Sequence, residues 1–209
     1  MKEDLLKKYM DALVKYELDR HGIDPREELE GTALRITKDE GYKYRDVENW
    51  NVSIAQAGSC VDKFLKAAAG TNLIDHHNVS LIKKALRENG SEDLEAALVY
   101  LFREDDDYCA FKNIVNIVGA KFDVLGFCFF LKNPKRYMPI RSRNFDKRFS
   151  LLGVDSRLAR HCDWLKYQDY NRWIEEVHTF LRENLNPAAT MIDAHSFLWI
   201  LPSLQSYLE

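Results

Sequence analysis

From Val124 to Leu131 eight consecutive residues carry no polar side chain. A stretch that is apolar on every side must be covered on every side. It is far shorter than the ~20 apolar residues that a bilayer-spanning helix requires, so the covering has to come from the rest of the chain. Gly119 lies just before the run and Asn133-Pro134 stops it, because the residue ahead of a proline is pushed out of helical geometry. Taken from Phe122, the run predicts a central buried helix, with a strand left open by its shortness. A chain of 209 residues with 46% hydrophobic and 30% charged residues can build such a core without disulfides or metal. One domain over residues 1–209 is expected, with residues 1–57 a loosely packed N-terminal subregion.

The flanking sequence has helical periodicity. Leu5, Leu6, Tyr9, Leu13 and Tyr16 recur at the spacing of one helix face over roughly residues 3–20, ending near Gly22. Residues 23–51 have weaker periodicity, with Gly31 and Gly41, and read as a long connection or one short helix with irregular flanks. Cys60, Phe64, Leu65 and Ala68 form a short face closed by Gly70. Asn78 reads as the N-cap of a helix through Leu81, Ile82, Ala85 and Leu86, closing at Asn89-Gly90. Ser91 caps the next, with Glu92 and Asp93 in the first turn, where the helix dipole favours anions. Tyr108, Phe111, Ile114, Val115 and Val118 continue the pattern.

Beyond the loop Lys135–Ile140, Ser142 caps a helix whose inner face is Phe145, Phe149 and Leu152, with Arg143, Lys147 and Arg148 turned outward. Gly153 ends it, and Asp155 or Ser156 starts another through Leu158 and Ala159. Trp173, Ile174, Val177, Phe180 and Leu181 mark a further helix, and Asn186-Pro187 reads as N-cap and N1 of the last. No hairpin signal interrupts the series. The expected fold class is all-α, an irregular multi-helix bundle around the central apolar helix.

The four cysteines, Cys60, Cys109, Cys128 and Cys162, are widely spaced and form no C-x-x-C pair, which suits buried, reduced thiols in a cytoplasmic protein. The opening Met1-Lys2-Glu3-Asp4 runs into a charged amphipathic pattern, so neither a secretory leader nor a membrane partner is expected. The net charge is −3, but it is unevenly distributed. Between Lys132 and Arg160 nine bases face only Asp146 and Asp155, a local +7 that leaves −10 for the remainder. Segregation of this kind speaks to partners rather than to fold.

The basic segment is therefore the candidate binding surface. Lys135, Arg136, Arg141, Arg143, Lys147, Arg148, Arg157 and Arg160 could meet phosphates, and Tyr137 could stack or donate to a nucleic-acid backbone. The helix–Gly153–helix order loosely resembles a helix-turn-helix, although bulky Phe149 occupies a place where that motif wants a small residue. Other clusters read more plainly. Asp75-His76-His77 has no further ligand spacing, so no metal or other cofactor is expected. His195 beside Phe197 and Trp199 reads as a hydrogen-bonded packing residue. Glu104 to Asp107 read as a helix N-terminus whose carboxylates satisfy the first amides. No Gly-rich phosphate loop or nucleophile elbow is present, so no catalytic residue is assigned.

Two resemblances add to this. Arg172 and His178 have a spacing similar to the Arg/His motif of HEPN-type ribonucleases, which implies an RNA-cleaving alternative. More extensively, Phe129-Phe130-Leu131-Lys132-Asn133-Pro134-Lys135-Arg136-Tyr137-Met138-Pro139-Ile140, then Asn144-Phe145-Asp146-Lys147-Arg148-Phe149, Leu151-Leu152-Gly153-Val154 and Asp193-Ala194-His195-Ser196-Phe197-Leu198-Trp199-Ile200-Leu201, resemble the helical region ahead of the nuclease module in some bacterial HNH-type restriction endonucleases and related defence proteins. The likeness covers about residues 110–201. It implies a DNA-targeting or regulatory domain, non-catalytic alone, partnered by DNA more readily than RNA and by a nuclease module or another protein. No HNH residues follow Leu201, so the expectation is a standalone relative or a fragment, and cutting activity is not carried over. A protein-interaction module steered by charge is the remaining alternative.

Overall fold

The computed structural model describes residues 1–27, 60–69 and 73–208. Expectations for the connection after residue 27, for the outer part of the 1–57 subregion and for Gly70 as a helix terminator lie outside them. Among the described residues the secondary structure is helical throughout: α1 (Glu3–His21), α2 (Cys60–Ala69), α3 (His76–Asn89), α4 (Glu92–Arg103), α5 (Asp107–Val118), α6 (Phe122–Lys132), α7 (Ser142–Leu151), α8 (Trp164–Asn184), α9 (Met191–Leu204) and a closing 3-10 turn, Gln205–Tyr207. The all-α expectation holds, and none of these helices is long and apolar enough to cross a membrane. The helices divide into two compact units. One holds α2 to α6, the segment to Arg141 and residues Cys162–Tyr167; the other holds α1, Ser142–His161 and the chain from Gln168 onward.

In the first unit α6 is the centre. Phe122 and every residue from Val124 to Leu131 is buried, and α4 and α5 both pack against it. Each of Phe127, Phe129 and Phe130 contributes about 1.5–3 kcal/mol over its exposed state. Phe64 of α2 meets Phe127 at 5.8 Å between ring centres, while Phe111 of α5 and Tyr167 of α8 meet Phe129 at 6.2 and 5.6 Å. The Tyr167 hydroxyl donates to the carbonyls of Met138 (3.2 Å) and Gly126 (3.4 Å), fixing the segment after α6 against the helix it has just left. Asp75, not Asn78, caps α3, accepting the amide of His77. Asn78 lies inside the helix and its Nδ2 donates to Asp123 of α6 instead. Glu95 of α4 accepts the amides of Cys60 and Val61 at the start of α2.

In the second unit α9 packs against α1 and α7. It starts at Met191, later than the Asn186-Pro187 reading. Thr190 and Asp193 form a capping box there, each side chain accepting the other's backbone amide. Asn186 is buried and its side chain is used at both ends, donating Nδ2 to the carbonyls of Arg26 (3.1 Å) and Pro25 (3.4 Å) and accepting the Ala188 amide on Oδ1. Phe145 and Phe149 of α7 reach Tyr170 of α8, at 5.1 and 6.1 Å between ring centres.

Helix α6 carries one testable tolerance. A Cβ on Gly126 would lie 2.6 Å from Ile140 Cγ2 and 3.1 Å from the Ile140 amide nitrogen. Alanine gains about 1 kcal/mol of helix propensity, against about 1–3 kcal/mol of overpacking. Gly126→Ala should therefore lower the urea midpoint of the unit containing α6, and a raised midpoint would show that Ile140 yields freely.

Candidate nucleic-acid interface

The nine expected binding residues fall in both units. Lys135, Arg136, Tyr137 and Arg141 belong to the α6 unit, and Arg143, Lys147, Arg148, Arg157 and Arg160 to the α9 unit.

In the α6 unit, α6 ends at Lys132 and the Asn133 side chain accepts the Lys135 amide, while the Asn133 carbonyl accepts the amides of Arg136 and Tyr137. This tight turn folds the chain back toward the start of α5. There the acidic run divides its tasks. Asp106 caps α5 by accepting the Cys109 amide, as expected of such a run. Asp107 instead turns inward and is nearly buried. Its Oδ1 takes the Lys132 ammonium at 2.7 Å, and its Oδ2 accepts the Tyr137 hydroxyl and faces Arg136 Nη1 at 3.4 Å. Lys132 Nζ also donates to the Glu104 carbonyl at 2.7 Å.

Tyr137 is consequently not an exposed stacking residue. It is 4% exposed, set edge-on to Phe129 at 5.1 Å and stacked near Tyr167 at 5.9 Å. Burial, followed by the Asp107 carboxylate, raises its pKa, so it stays a neutral donor. A carboxylate in a dry setting holds its charge only if cations and hydroxyls surround it, and Asp107 recruits three such groups from the basic segment. Lys135 remains exposed and Arg141 is half-buried.

In the α9 unit, α7 presents two distinct sides because successive residues turn about 100°. Arg143 and Lys147, four apart, are exposed, and neither takes part in an ion pair among the described residues. Arg148 is not outward as expected. It is half-buried, with its guanidinium 4.4 Å from the Trp199 ring centre, Nε donating to the Trp199 carbonyl and Nη1 to the Asn144 carbonyl, both at 2.9 Å. Burial lowers its pKa, yet a guanidinium stays protonated far beyond neutral pH.

The second helix of the supposed helix-turn-helix is absent. Residues 154–163 form turns and loop, and Arg157 has a left-handed φ of 51°, which no continuing α-helix can contain. The cause is Asp146 on α7, whose carboxylate accepts the Ser156 hydroxyl and the amides of Leu158 (2.7 Å) and Ala159 (2.9 Å). Those amides are turned toward α7 rather than along a helix axis. Arg157 pairs with Asp155 at the surface, and Arg160 is exposed with no ion pair among the described residues. Asp146, Ser150, Gly153, Ser156, Arg157 and Arg160 lie along an open groove of about 610 Å³.

Arg172 is exposed and pairs with Asp169 at 2.8 Å. His178, six residues on, lies about 120° around α8 and donates Nε2–H to the Ala189 carbonyl at 2.9 Å. His195 is 4% exposed and packs on Phe145 at 5.1 Å. The Asp193 pKa is raised by burial. No cluster able to hold a metal occurs among the described residues, and His76 and His77 are exposed in the first turn of α3. None of the four cysteines is disulfide-bonded; burial raises Cys128 and pushes Cys162 up to about 12, so both remain thiols at neutral pH.

Reading by sequence window missed Asp107 and Trp199. A fourth consecutive acidic residue, buried once the first turn is helical, was the available signal for the former. Stability measurements separate structural from free cations. Asp107→Ala, which removes the carboxylate that Lys132 and Tyr137 share, should destabilise its unit by about 2–4 kcal/mol, and Arg148→Ala should cost about 1–3 kcal/mol through lost stacking and hydrogen bonds. Arg143→Ala and Lys147→Ala should stay within about 0.5 kcal/mol. Equal losses at Arg143 and Arg148 in urea unfolding would erase the distinction.

Comparison with protein-family models, with curated proteins and with solved structures finds no match to this chain.

Proposed function

We propose that the chain binds nucleic acid, DNA in the first instance, through the outward face of α7 and the loop that follows it, and that it binds without cutting. The observation that carries this reading is the set Arg143, Lys147 and Arg160: exposed, and in no ion pair among the described residues. Cations held clear of carboxylates keep their full charge for phosphates, and each phosphate contact releases condensed counterions. Asp146 leaves them clear because backbone amides and a hydroxyl satisfy it. The preference for DNA, and the association with restriction or defence systems, rest on the resemblance of residues 110–201 to the helical region ahead of HNH nuclease modules.

Anisotropy titrations of labelled duplex and single-stranded DNA across a salt series test the reading. Three phosphate contacts give a slope of log K on log salt of about −2.7 for duplex and about −2.1 for a single strand. The double variant Arg143→Glu with Lys147→Glu should bind at least about tenfold more weakly and bring the duplex slope to about −0.9, with its helical circular dichroism unchanged. Wild-type affinity and slope retained in that variant would reject the α7 face.

A further inference from the structure

The groove beside α7 is of a size that suits a single nucleotide, since small-ligand sites run from about 300 to 1,000 Å³. Asp146 and Ser150 line it from α7, and Gly153, Ser156, Arg157 and Arg160 from the loop. Arg143 and Lys147 are on the same helix but outside the groove's lining, so its own cations are Arg157 and Arg160. No aromatic residue lines it, which leaves no platform for base stacking and makes the sugar-phosphate the part of a ligand that it can hold. Its two carboxylates are both engaged: Asp146 by three donors and Asp155 by Arg157.

The loop is also held in shape. Arg157 at φ 51° is in a region that non-glycine residues rarely adopt, and the Asp146 hydrogen bonds on either side of it keep it there. Backbone held in an unfavourable region by its surroundings is a recurring mark of ligand clamps. The turn is closed by the Arg160 amide donating to the Arg157 carbonyl, which brings two guanidinium-bearing residues into one turn. Each guanidinium offers a planar fork of donors matched to phosphate oxygens.

We infer that this groove is a phosphate-monoester site, which takes the terminal phosphate of a nucleic-acid strand or the same group on a free nucleotide, with Arg160 as its principal ligand and Arg157 as its second. A monoester carries about −1.5 to −2 charge at neutral pH and three accepting oxygens, whereas an internal diester carries a single charge. Two adjacent guanidinium forks therefore favour a strand end over its interior. The Asp155–Arg157 pair is exposed on both sides and can share its guanidinium with the incoming phosphate. The inference deepens the nucleic-acid reading by naming the part of the strand recognised.

The test compares one single-stranded oligonucleotide bearing a terminal phosphate or a terminal hydroxyl, at each end in turn, with a free mononucleotide followed by calorimetry. A terminal phosphate should tighten binding about tenfold. Arg160→Gln, and independently Ser150→Glu, which puts a carboxylate in the groove, should abolish that ratio. Arg143→Glu with Lys147→Glu should weaken both strands alike and preserve it. A ratio near one in the wild type, or one surviving in Arg160→Gln, overturns the inference while leaving general nucleic-acid binding intact. Binding of the mononucleotide, lost in Arg160→Gln, with no binding of the hydroxyl-ended strand, upholds the groove and removes the nucleic-acid reading instead.

Discussion

How a buried carboxylate is satisfied decides which cations of this chain stay available. In the α6 unit Asp107 sits almost out of water, where a lone charge is untenable. It gathers an ammonium, a guanidinium and a phenol, all from the residues at and after the end of α6. The rest of that end of the unit follows in sequence. Tyr137 is drawn into the ring cluster with Phe129, Trp164 and Tyr167, the Met138 carbonyl comes within reach of the Tyr167 hydroxyl, and Ile140 settles over the one position of α6 that has no Cβ.

Asp146, half-buried on α7, is satisfied in the α9 unit by other means, taking a hydroxyl and two backbone amides. These donors are neutral, so no cation is consumed. The amides of Leu158 and Ala159 are no longer oriented for a helix, and the loop of residues 154–163 results. The same three bonds that remove the helix-turn-helix therefore leave Arg143, Lys147 and Arg160 clear of carboxylate partners. The exposed cations and the lost helix have one cause.

Features that depend on periodicity and punctuation were legible from the residues. The all-round apolarity of α6, the Leu6, Tyr9 and Leu13 face of α1, the Phe111 and Ile114 part of the α5 face, and the stops at Gly22, Asn89-Gly90 and Gly119 all correspond to the structure, whereas Tyr108, read as part of that face, is 50% exposed. Features that depend on a distant partner were not. Asp155 and Ser156 ahead of Leu158 and Ala159 have the local signature of a helix start, and only Asp146, a full helix earlier, overrides it. Asn186-Pro187 likewise has a start signature, but the Asn186 side chain is committed to Arg26 and Ala188, and Thr190 with Asp193 makes the better cap. At the candidate site Arg143 and Lys147 were correctly placed outward by helix geometry. Arg148, one residue further round, lies at the boundary of the apolar face, where Trp199 on another helix decides its fate.

A charge summed over a stretch of sequence is therefore a poor measure of a surface. The +7 between Lys132 and Arg160 omits Asp107, which stands 25 residues before Lys132 and yet engages both Lys132 and Arg136. It also counts Arg148, whose charge faces an indole ring and two carbonyls, and Arg157, already opposite Asp155. What stays open to solvent is a few cations, Arg157 among them through its exposed pair, whose positions are set by helix phase and by one pre-shaped loop. Such a surface carries too little charge for strong indiscriminate attraction at physiological salt, where screening acts within about 8 Å. Geometry at the groove, rather than the formal excess, then has to supply any preference among ligands.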